Sequence, residues 1–302
     1  MALEDSSSSV SSDIHVTPIQ GTPHVYRDVY PSVDPTRPEL SLAGKIVVIT
    51  GASRGIGSNG IAPAVAKAGA KGIVLVATNS EKLRTVEQSI RLINHDTQIL
   101  AVTADISNKD SVTKLFKLVK DKFGHADVLV HNAAVMSGGG QIHELDLEEW
   151  WKNFEINTKG TFIVTQSFLQ SLPIGAPAVI VNITTGGAWG SYPHMSGYAT
   201  SKLAGQKLVS DIAASYPNII AISLHPGIVK TDMLLEQYWH LDTNEPELVG
   251  GVVVWLAGDN AKFLSGRAIS VNWSVDDLVA RRQEIVKNDL LKMHLKGDFG
   301  WA

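Results

Sequence analysis

Tyr198 and Lys202 stand four residues apart, and Thr184 and Thr185 close the apolar run just before them. On a helix, positions i and i+4 lie one above the other on a single face. A lysine ammonium held there favours the phenolate of a tyrosine, whose ordinary pKa is about 10. That shift brings the phenol into a range where it can give and take a proton. A neighbouring threonine hydroxyl can both donate and accept. The same pair is also common on plain helix surfaces, and two threonines make an ordinary strand end. The surrounding elements have to decide between the readings.

From Lys45 onward short strand-like runs alternate with helix-like stretches. The strands fall at 45–50, 72–77, 98–103, 127–131, 177–183, 219–225 and 267–272. Several are unbroken Val/Ile/Leu runs, the pattern of strands buried on both faces of a parallel sheet. Between them, stretches such as SEKLRTVEQSIRLIN and NKDSVTKLFKLVKDKFG repeat apolar residues at helical spacing. This alternation implies βαβ units and a single-domain, Rossmann-like, doubly wound α/β sheet of about seven parallel strands, with helices on both faces. The domain is expected over 41–275, followed by a helical tail at 276–302.

Residues 1–40 have a different composition. Six of the first twelve are serine, and five of the twelve prolines lie between Pro18 and Pro38. Such a segment buries too little apolar surface to offset its ordering entropy, so about the first twenty residues are expected to be disordered. The tyrosine-bearing part, HVYRDVYPSVDPTRPEL, is expected to lie extended over the domain.

Composition narrows the classes of function. A formal charge of −4 over 302 residues gives no nucleic-acid footprint. Cysteine is absent and the ten histidines are scattered, which leaves no metal site and no disulfide. No apolar run approaches the roughly 20 residues of a membrane span, and MALEDSSSSVSSD has no secretory signal pattern. A cytoplasmic protein is the expectation. The DFG at Asp298–Gly300 lacks any companion motif of phosphoryl transfer, and the sequons at Asn182 and Asn272 fall in expected strands.

The first strand runs directly into TGASRGIG, Thr50 to Gly57. Glycines at 51, 55 and 57 let the backbone turn tightly and bring helix N–H groups up to a pyrophosphate. The spacing departs from GxGxxG and resembles the TGxxxGxG turn of the short-chain dehydrogenase/reductase family. Further pieces follow in the family's order: Asp105–Ile106, HNAA at His131–Ala134, Asn157 in NFEINTKG, Thr185, YATSK at Tyr198–Lys202, and PGIVKTDM at Pro226–Met233. The resemblance covers about residues 42–275. It implies Tyr198, Lys202, Thr185 and Asn157 as catalytic residues. Tyr198 would exchange a proton with a substrate oxygen as hydride moves to or from nicotinamide. Lys202 would lower its pKa and bind the nicotinamide ribose. Thr185 would hold the substrate oxygen, and Asn157 a relay water. The implied cofactor contacts are Gly51, Ser53, Arg54, Gly55, Ile56, Gly57, Thr78, Asn79, Asp105, Ile106, Asn132, Ala133, Tyr198, Lys202, Pro226, Ile228 and Thr231.

Several residues depart from the family pattern. One extra residue stands near Asn59–Gly60, and Pro63 implies a helix that starts late. His131 and Ala134 replace the usual asparagine and glycine. The second strand ends in Ala77, Thr78, Asn79 and Ser80, with no acid to repel a 2′-phosphate, and Arg54 offers a planar cation. Both features resemble NADP-using members. Met233, Leu234, Tyr238 and Trp239, with Trp189, Tyr192, His194 and Met195 opposite, point to a hydrophobic ketone or alcohol as substrate. The entry segment YPSVDPTRPELSLAGK and the tail from Asn272 resemble, more loosely, a fungal branch tied to secondary metabolism. The family implies a homodimer or homotetramer. Carbonyl reduction with NADP(H) is the leading reading. Non-redox cyclisation, dehydration or isomerisation in the same pocket, and a non-catalytic nucleotide-binding scaffold, are the alternatives.

Overall fold

The structure, a computed structural model, describes residues 16–234 and 236–294. The sequence features at 1–15 and the DFG at 298–300 lie outside the described residues. Seven parallel strands form one sheet: β1 (Ile46–Thr50), β2 (Gly72–Ala77), β3 (Gln98–Thr103), β4 (Val128–His131), β5 (Ala178–Ile183), β6 (Ile219–His225) and β7 (Ala268–Ser270). Their order is β3-β2-β1-β4-β5-β6-β7. The winding reverses between β1 and β4, so a crevice opens at the carboxyl ends of those two strands, the place where such sheets take ligands.

Helices cover both faces: α1 (Ala62–Lys67), α2 (Ser80–Ile93), α3 (Lys109–Phe123), α4 (Leu147–Asn153), α5 (Thr161–Ser171), α6 (Ser196–Ser215), α7 (Pro246–Leu256), α8 (Val275–Ala280) and α9 (Arg282–Lys287). Successive strand residues point to opposite faces, and the two cores show it. Val47, Ile49, Ile73 and Leu75 pack with α1, α2 and α7, whereas Ile46, Val48, Val74 and Val76 pack with α3, α5 and α6. Each fully buried aliphatic side chain contributes about 1.5–3 kcal/mol. The continuous apolar runs read as two-sided burial are buried throughout β1, β2, β4 and β5.

Two elements differ from expectation. The strand expected at 267–272 pairs with β6 only over Ala268–Ser270. Beyond it the chain turns to an N-terminal segment, where Val25 bridges Trp273 in antiparallel sense and Tyr26 N donates to Asn272 O at 2.8 Å. The helix after the glycine turn does not start late: winding begins at Gly55, and Gly57–Ile61 forms a π-helical turn. A π turn closes on i+5 instead of i+4, which takes up the extra residue near Asn59 without breaking the helix. Gly60 is required there. A Cβ on it would lie 2.0 Å from Pro246 O, and one on Gly250 would lie 2.2 Å from Gly60 O, so α7 crosses backbone to backbone.

Residues 16–40 run over the domain in short 3-10 turns. Val33, Tyr30 and Leu40 are buried, joining the α7 side of the core.

Candidate active site

The nucleotide end is built by backbone geometry. Gly51 and Gly55 adopt φ of 65° and 57°, the left-handed region that glycine enters without strain. A Cβ on Gly57 would lie 2.4 Å from Gly51 O, and one on Gly51 would lie 2.7 Å from Ala133 Cα. The turn is clamped to the end of β4. Asn132 Nδ2 donates to Thr50 O and Gly51 O, both at 3.0 Å, while the Asn132 and Ala133 amides donate to Thr50 Oγ1, both at 3.1 Å. The result is a glycine cradle at a helix N-terminus, which presents N–H groups to an anion.

A cavity of about 650 Å³ runs from this cradle along the carboxyl edge of the sheet. Of the residues expected to bind cofactor, Gly51, Ser53, Arg54, Gly55, Ile56, Thr78, Asp105, Ile106, Asn132, Ala133, Tyr198, Lys202, Pro226, Ile228 and Thr231 line it, as does Thr185. Gly57, Asn79 and Asn157 are not on its wall. Gly57 is buried behind the turn. Asn79 is the N-cap of α2, its Oδ1 accepting from Lys82 N at 2.8 Å, a use of asparagine that the strand-end position hid. Arg54 pairs with Asp232 across the cavity mouth, Nη1 to Oδ2 at 3.3 Å, with both side chains exposed.

At the other end Thr185 closes β5 and caps a short turn, its Oγ1 accepting from Gly187 N at 3.2 Å. Tyr198 stands in the first turns of α6, half-buried, with the Thr185 hydroxyl bonded to its phenol. Burial pushes the phenol up to about 12, and the Thr185 bond only partly offsets this. The causes of this shift are burial and the Thr185 bond, without a contribution from Lys202. Lys202 Nζ instead donates to Ile183 O at 2.7 Å, and burial brings its own pKa down to about 8. Near pH 7 the pair is therefore a neutral phenol, in its proton-donating form, beside a lysine still mostly charged.

Asn157 lies in a π-helical turn, Phe154–Gly160, between α4 and α5. Its amide clasps the chain: Oδ1 accepts from Val135 N at 2.9 Å, and Nδ2 donates to Val135 O at 2.9 Å and Ser201 Oγ at 3.0 Å. One turn earlier, Asn153 makes the same clasp on Ser137, accepting from its N at 3.1 Å and donating to its O at 2.7 Å. Two amides at helical spacing thus hold alternate residues of an extended loop, as a strand would. The Asn157 side chain positions this loop, and Oδ1, which accepts one of the two bonds it can take, keeps a lone pair for the relay water expected there. Asn153 escaped sequence reasoning; its i−4 relation to Asn157 was the available signal.

Other wall residues were also missed. His225, at the end of β6, lines the cavity, and its Nδ1 accepts from Gly186 N at 3.1 Å, so the neutral ring carries its proton on Nε2. Its place directly before Pro226 was the signal. Of the expected pocket side chains, Tyr192, Met195, Met233, Leu234 and Tyr238 line the cavity, while Trp189, His194 and Trp239 do not. Trp189 faces inward, donating to Gln206 Oε1 at 2.9 Å with its ring edge-on to His225. Trp239 is exposed and donates to Leu234 O at 3.3 Å.

Behind the site, His131, Asn182 and Ser223 occupy one register across β4, β5 and β6 and are all buried. His131 Nε2 meets Thr165 Oγ1 at 2.8 Å, while His131 Nδ1, Asn182 Nδ2 and Ser223 Oγ have no hydrogen-bond partner. Burial, and then the nearby Lys202 charge, bring the imidazole down to about 3, so it stays neutral. Among the described residues no cluster suits a metal ion, and no helix is long and apolar enough to cross a membrane.

Residues 45–240 match the family model described as short chain dehydrogenase. "Short chain dehydrogenase mpl6" of Monascus purpureus is 34% identical over 280 residues, 89% of this chain and 94% of that protein. "Short chain dehydrogenase andI" of Emericella variicolor is 31% identical over 264 residues, 84% of this chain and 90% of that one. Among solved structures, levodione reductase shares the fold with a TM-score of 0.72 at 23% identity, over 76% of this chain and 97% of its own. A variant of actinorhodin polyketide ketoreductase with NADPH gives a TM-score of 0.69 at 27% identity, over 76% and 95%. The 3-ketoacyl-(acyl-carrier-protein) reductase of Brucella melitensis complexed with NADH gives 0.69 at 25%, over 77% and 98%.

Proposed function

The chain belongs to the short chain dehydrogenase family, and we propose that it interconverts a ketone and a secondary alcohol on a hydrophobic small molecule, using NADP(H). The observation that carries this reading is one cavity with the glycine cradle at one end and Thr185, Tyr198 and Lys202 at the other. The cradle fits a dinucleotide: its glycines leave room that a Cβ would fill, and the helix begun at Gly55 presents its N–H groups.

The nicotinamide, when bound, supplies or accepts the hydride. The chain's own residues handle the oxygen and its proton. In reduction Tyr198 Oη gives its proton to the nascent alkoxide, and in oxidation it takes one from the alcohol. Thr185 holds that oxygen and, by its bond to the phenol, stabilises the phenolate that forms. Lys202 places a positive charge close by, held in line by Ile183 O. Asn157 and Asn153 keep the 135–137 wall in register.

The choice of NADP(H) rests on the neutral end of β2 and on Arg54. Its exposed pair with Asp232 is worth only about 0.2–1 kcal/mol, so a phosphate can displace it. Calorimetric titration with NADPH and then NADH tests this: tighter NADPH binding is expected, and preference for NADH would overturn it. The apolar groove between Trp151, Phe154, Phe162 and Leu208, with Trp151 and Phe162 both 49% exposed, supports a homodimer or homotetramer. A cytoplasmic place in secondary metabolism completes the proposal.

A further inference from the structure

Residues 16–40 precede the part of the chain shared with the family model, which begins at residue 45, yet one of them reaches the cavity. Ile19, in the 3-10 turn Thr17–Ile19, lines its wall. A proline- and serine-rich terminus has no intrinsic reason to order there, so the contacts that hold it carry the argument.

Those contacts run the length of the segment. Tyr26 exchanges two hydrogen bonds with Asn272, N to O and O from Nδ2, both at 2.8 Å. Tyr30 Oη accepts from Val275 N at 2.8 Å, and Arg281 Nη1 donates to Gly21 O at 2.6 Å. Gly21 passes flat over the Trp273 ring, where a Cβ would come within 2.7 Å. The Trp273 indole N–H then donates to Ile19 O at 2.9 Å and fixes where that residue sits. The position lies at the chemical end of the cavity. Trp273 packs on Trp189 at 6.1 Å between rings, and Trp189 packs on His225, itself a wall residue. Thr78 and Asp105, expected on the adenine side, stand just past the carboxyl ends of β2 and β3, at the opposite flank of the sheet.

We infer that the N-terminal segment is a strap whose Ile19 forms part of the substrate wall and selects the ketone by the shape of its apolar body. This rests on the oxidoreductase reading above and adds a specificity residue to it. An isoleucine offers no hydrogen bond, so it discriminates by volume alone, and a change of one to a few methylenes against such a wall is worth roughly 10- to 100-fold in kcat/KM. A strap that served stability alone would leave that ratio unmoved.

The chain contains no cysteine, so Ile19→Cys introduces a unique thiol that can be measured before and after reaction with N-ethylmaleimide. Wild type is first assayed for NADPH and NADH consumption with ketones graded from butanone to bicyclic tetralones. The adduct is expected to raise KM for the larger ketones about tenfold or more, relative to butanone, with NADPH affinity within twofold. Ile19→Ala, a second and non-covalent test, is expected to shift preference the other way, towards the larger ketones. Wild-type turnover with the same ketone ranking in adduct and Ile19→Ala overturns the strap's role and leaves the oxidoreductase reading standing. An equal fall in NADPH affinity and ketone kcat/KM also overturns it, placing Ile19 at the cofactor. No consumption of NADPH or NADH by wild type with any ketone takes down the oxidoreductase reading, and this inference with it.

Discussion

The two ends of the cavity are built on different principles. At the nucleotide end the ligand-facing surface is backbone: a glycine turn with two residues at positive φ, locked to β4 by Asn132 and Thr50. At the chemical end it is side chains drawn from separate stretches, among them Ile19, Thr185, Tyr192 with Met195, Tyr198 with Lys202, His225, and Met233 with Leu234 and Tyr238. A backbone cradle tolerates little variation, because a single Cβ at Gly51 or Gly57 would collide with main-chain atoms. A side-chain wall can change residue by residue while the frame stays intact.

Breaking the chemical end alone should give the largest effect. Tyr198→Phe removes the proton donor and keeps the ring. Turnover should fall by roughly 10²- to 10⁴-fold while NADPH affinity stays within a few fold, by calorimetry beside steady-state rates. Retained turnover would mean that another group supplies the proton.

The nucleotide end has its own counterpart in Arg54→Ala. A charge-assisted bond to a 2′-phosphate is worth about 1.5–3 kcal/mol, so NADPH affinity should drop about 10- to 100-fold and NADH affinity should hold. An equal loss for both cofactors would place Arg54 outside the phosphate site.

The frame joining the ends can be probed by Asn157→Ala. The substitution leaves Val135 without either clasp bond, which should cost about 2–3 kcal/mol in urea unfolding, with a smaller change in cofactor affinity. Turnover lost at unchanged stability would point to a direct role for Asn157 in proton transfer.

A pH slope tests the buried layer behind the site, with no change expected near neutral pH. His131 is held neutral with its pKa brought from 6.5 to about 3. Below pH 6.5 the unfolded chain binds a proton that the folded chain refuses. Stability contributed by this group is therefore complete above 6.5 and lost as pH falls towards 3, at up to about 1.4 kcal/mol per pH unit. His131→Asn should remove that share of the slope between pH 6.5 and 4 in denaturant titrations.

Sequence reasoning reached unequal depths in the two regions. The strand runs at 72–77, 98–103 and 219–225 are strands over those same residues; at 72–77 burial on both faces writes itself as Ile-Val-Leu-Val, while the partly exposed edge strand 98–103 is marked by β-branched residues and its place in the alternation. Nearly every cofactor position taken from the motifs lines the cavity. Asn79 is off the cavity wall and caps α2, a use that its place at the strand end did not reveal. At the chemical end the aromatic residues near the site could be collected but not aimed. Trp189 turns inward to Gln206 while Tyr192, three residues on, faces the cavity.

What the sequence determined by itself is whatever depends on near neighbours in the chain: the alternation of strand and helix, the glycine turn, and the Tyr198–Lys202 pair one helical turn apart. What the tertiary structure alone decided depends on contacts between residues far apart in sequence. Such contacts bring Ile19 beside Trp273, set Arg54 against Asp232, close the Asn153 and Asn157 clasps on the 135–137 loop, and direct the Lys202 ammonium to Ile183 O. The difference is physical. Backbone turns and helical periodicity are governed by local sterics and hydrogen bonding, whereas side-chain direction and pKa are governed by packing and burial that the whole fold imposes.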